Sequence, residues 1–122
     1  MTEKKNKELE KLLTKAEDLD WSYSIWNESK STYHDERNYV ELNKYSPAGE
    51  DFGIVVDFDI NAPVKSFIKD LEYIADDFDV DEHVELWVDS RGKNGVPNTV
   101  RELVEDAEAI KEMLYELAEA LK

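Results

Sequence analysis

Asp77, Asp79 and Asp81 stand at alternate positions in Asp77-Phe-Asp-Val-Asp81, a spacing that lets carboxylates gather oxygens around a hard cation such as calcium. A full calcium loop also needs a glycine at its sharp turn and a bidentate glutamate at its end. This chain has Glu82 and Val88 at those positions, so no dedicated metal site is expected. The three acids are read instead as an interhelical turn leading into the start of the next helix. They belong to a longer run: from Asp70 to Asp89 the chain places nine carboxylates and no Lys or Arg.

The chemistry such a run offers is electrostatic. The chain holds 30 acidic against 15 basic residues, for a formal net charge of -15. A surface of this kind repels phosphate backbones and anionic lipid heads and attracts cations or basic protein surfaces. The expected partner is therefore a basic protein surface, such as that of a nuclease or another nucleic-acid-binding protein, with no direct nucleic acid and no membrane. Asp76, Asp77, Asp79, Asp81, Glu82 and Glu85 form the candidate contact set. Glu105, Glu108, Glu112, Glu116 and Glu119 form a second one. Their 3, 4, 4, 3 spacing puts them on one helical stripe, with members one turn apart, roughly 5 to 6 Å, comparable to phosphate spacing along a nucleic-acid strand. The plain alternative for that stripe is a solvated helix face.

Other chemistries leave no pattern. His83 lies among the acids and His34 in a polar stretch with Asp35 and Glu36, but neither forms a ligand pair at helical spacing. His83 reads as a first-turn helix residue. The absence of cysteine removes disulfides, thiolate metal sites and cysteine nucleophiles together. No nucleophile elbow, P-loop or dinucleotide fingerprint occurs, and Gly92-Lys-Asn-Gly95 lacks the glycine spacing of a phosphate cradle. The expectation is a protein without catalytic residues, cofactor or metal. Met1 to Lys15 lacks the apolar region of a signal peptide and no stretch approaches the ~20 apolar residues of a membrane span, which makes the cytoplasm the expected location.

The elements that must position these acids follow from periodicity. Leu9, Leu12, Leu13, Ala16 and Leu19 predict an amphipathic helix from Thr2 to about Asp18. Trp21 to Asn27 alternates as a strand, with Trp21, Tyr23 and Ile25 on one face and Trp26 on the other. One of the two tryptophans should therefore face the helices and the other solvent or a partner. After a polar loop from Glu28 to Glu36, Asn38 to Tyr45 and Phe52 to Phe58 read as two more strands, joined by the hairpin residues Ser46-Pro-Ala-Gly49. Asn61 is the candidate cap of a helix that ends near Asp77 and buries Val64, Phe67, Ile68, Leu71, Ile74 and Ala75. The segment Asp81 to Arg91 reads as a short helix, with a fourth strand as the alternative. Thr99 and Glu102 have capping-box spacing and open a long helix through Val100, Leu103, Val104, Ala107, Ile110, Leu114, Leu117 and Leu121. Residues 1–122 thus form a single α+β domain: an N-terminal helix, a three-stranded antiparallel sheet, then two or three helices packed on it, the last one long. The opening order resembles a double-stranded RNA-binding domain, a function the acidic balance argues against.

Two segments carry a further resemblance. They are Glu41-Leu-Asn-Lys-Tyr-Ser-Pro-Ala-Gly-Glu-Asp-Phe52, and Glu82 to Arg91 continuing through Gly95-Val-Pro-Asn-Thr-Val-Arg-Glu-Leu-Val-Glu-Asp-Ala-Glu-Ala-Ile110. The chain resembles small acidic proteins of phages and conjugative elements of Gram-positive gut bacteria, over about its last two-thirds. The resemblance implies no catalytic residues. It does imply a context in which small acidic proteins block restriction or CRISPR nucleases by occupying nucleic-acid sites. The leading expectation is a non-enzymatic acidic interaction protein of that kind, a nucleic-acid mimic. The alternatives are a self-associating accessory module and an immunity- or antitoxin-type inhibitor.

Overall fold

The computed structural model describes residues 2–27, 38–93 and 95–122, with side chains at 7–26, 38–93 and 95–122. The polar loop read at 28–36, with His34, lies outside the described residues. The chain runs α1 (Thr2–Glu17), β1 (Ser22–Asn27), β2 (Asn38–Tyr45), β3 (Asp51–Asp57), α2 (Pro63–Asp77), α3 (Val80–Trp87) and α4 (Val100–Leu121), with a 3₁₀ turn at Val88–Ser90. The segment from Asp81 to Arg91 is thus helical, not a fourth strand.

Helix α1 stops where Asp20 takes a left-handed φ of 70°, and the Trp21 N–H then donates to the Ala16 carbonyl at 3.0 Å. That reversal turns the chain into β1 with Trp21 buried in the core. The strands form an antiparallel sheet in the order β1-β2-β3, in which Ile25 faces Val40 and Val40 faces Val56. Alternation then divides the sheet. Val40, Leu42 and Val56 are fully enclosed on the face toward the helices, while Ser24, Trp26, Asp51 and Val55 are exposed on the other.

The helices cover that one face. Helix α4 packs against α1, α2 and α3, and its Ile110, Leu114, Leu117 and Leu121 join Leu9 and Leu13 of α1 and Phe67 and Leu71 of α2 in one core with the sheet. Full burial of such side chains stabilises by roughly 1.5–3 kcal/mol each relative to exposure. Val100, the first residue of α4, is exposed, and burial begins one turn later at Leu103. Thr99 caps α4 as its spacing predicts: its hydroxyl oxygen accepts from the Glu102 N–H at 3.1 Å and the hydroxyl donates to Glu102 Oε1 at 2.8 Å.

Asn61 does not cap α2. The cap position is Ala62, with no side-chain hydrogen bond. The Asn61 N–H is held by Asp59 Oδ1 at 2.9 Å in a tight turn, one residue too early to meet the free amides of the helix. Pro63 at the first helical position lessens the need for a cap, since it has no N–H to satisfy.

Candidate functional site

The acidic set is built from a helix end, a turn and a helix start. Asp76 and Asp77 close α2, and Phe78 turns the chain with its N–H on the Ile74 carbonyl at 3.1 Å. Asp79 is the N-cap of α3: its Oδ1 accepts from the Asp81 N–H at 2.8 Å and the Glu82 N–H at 3.3 Å. Asp81 and Glu82 then fill the first turn, where the positive end of the helix dipole favours acids, and Glu85 follows one turn later. Asp76, Asp77, Asp79, Asp81, Glu82 and Glu85 are all exposed. Among the described residues no group of three or more His, Asp or Glu side chains is placed to hold a metal ion. One oxygen of the central aspartate of the motif points to backbone amides.

A second acidic surface adjoins the first. Glu105, Glu108, Glu112, Glu116 and Glu119 are all exposed along α4, a stripe whose ends are about 21 Å apart at 1.5 Å per residue. Helix α2 is stitched to it in two places. The Tyr115 phenol of α4 stands beside Asp76, and that carboxylate raises the phenol pKa. Lys122 Nζ lies 3.2 Å from Glu72 of α2 and 3.1 Å from Glu119 of α4, and these bonds, Glu119 first, raise the lysine pKa. Lys111 adds a third tie by donating to the Phe78 carbonyl at 2.7 Å. The cations that join the two helices are therefore engaged by the groups around them, and the exposed carboxylates outnumber them.

No family model, no curated protein sequence and no solved structure matches the chain. What the surface can do must follow from its own chemistry. Clustered exposed carboxylates offer acceptors and negative charge but no donors, so their complement is an array of Lys and Arg.

Four polar residues missed by sequence reasoning hold this surface in place. His83, expected as a solvated first-turn residue, is instead 8% exposed, with Nε2 at 3.1 and 3.2 Å from the two carboxylate oxygens of buried Glu50. The rings of Phe52, Phe78 and Trp87 pack around the imidazole. Glu50 also donates its N–H to Ser46 Oγ at 3.0 Å, and that hydroxyl donates to Asp106 Oδ2 of α4 at 2.6 Å. The hairpin loop is thus fastened to α3 by one buried pair and to α4 by another. Gly95 belongs to the same junction. It has a φ of 82°, and a Cβ there would collide with the Gly49 carbonyl.

Beside the acids lies an open concavity of about 320 Å³, floored by Phe52, Ile54 and Phe78 and rimmed by Asp77, Asp79 and Glu82. Tyr73 and Leu86 border it and are 67% and 71% exposed. The strand parity of the tryptophans holds. Trp21 is buried and meets Phe52 edge-on, whereas Trp26 is exposed and stacked on Tyr39 at 6.2 Å between ring centroids.

Proposed function

We propose that this protein is a non-enzymatic acidic interaction protein that occupies a basic surface of a partner, acting as a nucleic-acid mimic toward a restriction or CRISPR nuclease. The observation that carries the reading is the joining of two exposed carboxylate arrays, the Asp76–Glu85 set and the α4 stripe, through Asp76–Tyr115 and Glu72–Lys122–Glu119. An array that crosses from one helix to another presents negative charge in two directions, as a nucleic-acid backbone does toward a cleft that grips it. The resemblance to acidic proteins of mobile elements supports the same reading by context. An immunity- or antitoxin-type inhibitor is a variant in which the basic target is a toxin.

The test is stoichiometric binding to a basic nuclease, in competition with its nucleic-acid substrate and weakening steeply with salt. Reversal of Asp76, Asp77, Asp81, Glu82 and Glu85 to Lys removes binding while the circular dichroism spectrum stays unchanged. Asp79 is left alone because it caps α3. Retention of binding by the reversed protein, or recovery of no basic protein from host lysate at low salt, sinks the proposal.

The exposed Tyr73 and Leu86 favour a second reading, a self-associating accessory module. Sedimentation of the charge-reversed protein separates the two. Apolar self-association persists in it, whereas electrostatic capture of a partner is lost.

A further inference from the structure

The strand β3 lies at the edge of the sheet, and its backbone polarity follows from the hydrogen bonds at its two ends. The Ser46 N–H donates to the Glu50 carbonyl at 2.8 Å, and the Phe58 N–H donates to the Asn38 carbonyl at 3.1 Å. Both bonds continue the β2–β3 register, in which hydrogen-bonded and non-hydrogen-bonded pairs alternate. Gly53 and Val55 therefore turn their N–H and C=O groups away from β2. The Asp57 N–H, which shares their parity, confirms the direction: it reaches outward to Asp70 Oδ2 of α2 at 3.0 Å. Natural edges are usually blocked by Lys, Pro or a bulge. Among the described residues this one, Asp-Phe-Gly-Ile-Val-Val-Asp, has only an aspartate at each end, the second tied to α2 through its N–H.

Alongside that edge runs a groove between β3 and α2. It consists of two concavities, of about 570 and 320 Å³, that share Tyr73 as a lining residue. Asp57, Asp59 and Asp70 line the first with Lys69, and Asp77, Asp79 and Glu82 line the second. A strand added to β3 would send alternate side chains into this acidic groove and the others onto the outer sheet face beside Val55, which is 42% exposed. Long basic side chains suit the groove positions, with their stems on Tyr73 and Ile54 and their charges on the carboxylates. Small apolar ones suit the outer face.

We infer that β3 is a docking edge for an extended partner segment with Lys or Arg at every second position and apolar residues between, held by backbone pairing to Gly53 and Val55 and by charge in the β3–α2 groove. The charge argument rests on the proposed basic partner; the backbone argument does not. A second copy of this chain is disfavoured, since its β3 edge, Asp-Phe-Gly-Ile-Val-Val-Asp, brings no Lys or Arg to the acidic groove.

The probe is the acetylated, amidated peptide Lys-Val-Lys-Val-Lys-Val-Lys, titrated into the full chain with backbone amide exchange followed by NMR. Strand addition predicts slower exchange at the Gly53 and Val55 amides. It also predicts about tenfold or greater loss of affinity when the peptide is N-methylated on its pairing edge, through loss of two or more hydrogen bonds. The Val55→Pro variant, which removes an outward N–H at a position where an edge strand accepts proline, should lose affinity similarly. If that variant fails to fold, the methylated peptide still gives the answer on the native chain. Absence of binding, unchanged exchange at Gly53 and Val55, or equal affinity for the methylated peptide overturns the inference. If charge reversal at Asp76–Glu85 nonetheless abolishes nuclease binding, the proposed function stands without the docking edge. If Val55→Pro weakens nuclease binding and charge reversal does not, the docking edge stands and the proposed function falls. A dimer of the protein alone that Val55→Pro converts to monomer makes a second copy the occupant and also overturns the inference.

Discussion

Asp106 sits on the buried side of α4 between Leu103 and Ile110, where helical periodicity calls for an apolar side chain. Its carboxylate is 4% exposed and accepts from the Ser46 hydroxyl at 2.6 Å and the Ala48 N–H at 3.0 Å. Removing the acceptor leaves both donors unpaired. Asp106→Ala is therefore expected to destabilise the protein by about 2–3 kcal/mol in urea unfolding, and Asp106→Asn by less, because its amide oxygen still accepts. A loss under about 0.5 kcal/mol for the alanine variant would mean that water replaces Asp106 at the loop. The acid out of place on an apolar stripe was a signal available in the sequence. Its partner was not, because Ser46 lies 60 residues away and hairpin chemistry alone accounts for a serine there. His83 is similar: its acidic neighbours suggested solvent, and only packing of α3 onto the hairpin brings it to Glu50.

At the scale of elements, the helices were legible because their apolar residues repeat with the helical period, and β2 ran from Asn38 to Tyr45 as expected. Parity separated Trp21 from Trp26 for the same reason. Caps were legible only where a side chain at the right residue meets free amides, which holds at Thr99 and fails at Asn61. Asp79 is the instructive element boundary, since it belongs both to the candidate contact set and to the cap of α3. Asp79→Ala is expected to cost about 1 kcal/mol, whereas Asp79→Asn keeps an equivalent cap and costs only a few tenths. Thermal unfolding of the pair measures the cap, and binding by the asparagine variant measures the charge. If Asp79→Asn binds a basic partner as tightly as the native chain, Asp79 serves α3 alone and leaves the contact set.

For the whole molecule the sequence foretold two runs of acids; helical periodicity placed the α4 stripe on a solvated face, whereas exposure of the Asp76–Glu85 acids, split between two helices and a turn, follows from the fold. Their adjacency was not legible, because it depends on α2 lying beside α4 so that Asp76 meets Tyr115 and Lys122 bridges Glu72 and Glu119. Bringing like charges together has a cost that the fold must carry at a net charge of -15. That cost is screened by salt: the Debye length falls from about 30 Å at 0.01 M to about 8 Å at 0.15 M. The melting temperature should therefore rise by a few degrees, about 3–6 °C, over that range, while affinity for a basic partner falls. The same five Lys reversals, each replacing a negative charge with a positive one, should flatten the rise. Opposite responses of stability and binding to one variable tie both to the same carboxylates. A melting temperature indifferent to salt, alongside salt-sensitive binding, would place the partner's contacts on acids that do not repel one another in the free protein, such as widely spaced members of the α4 stripe.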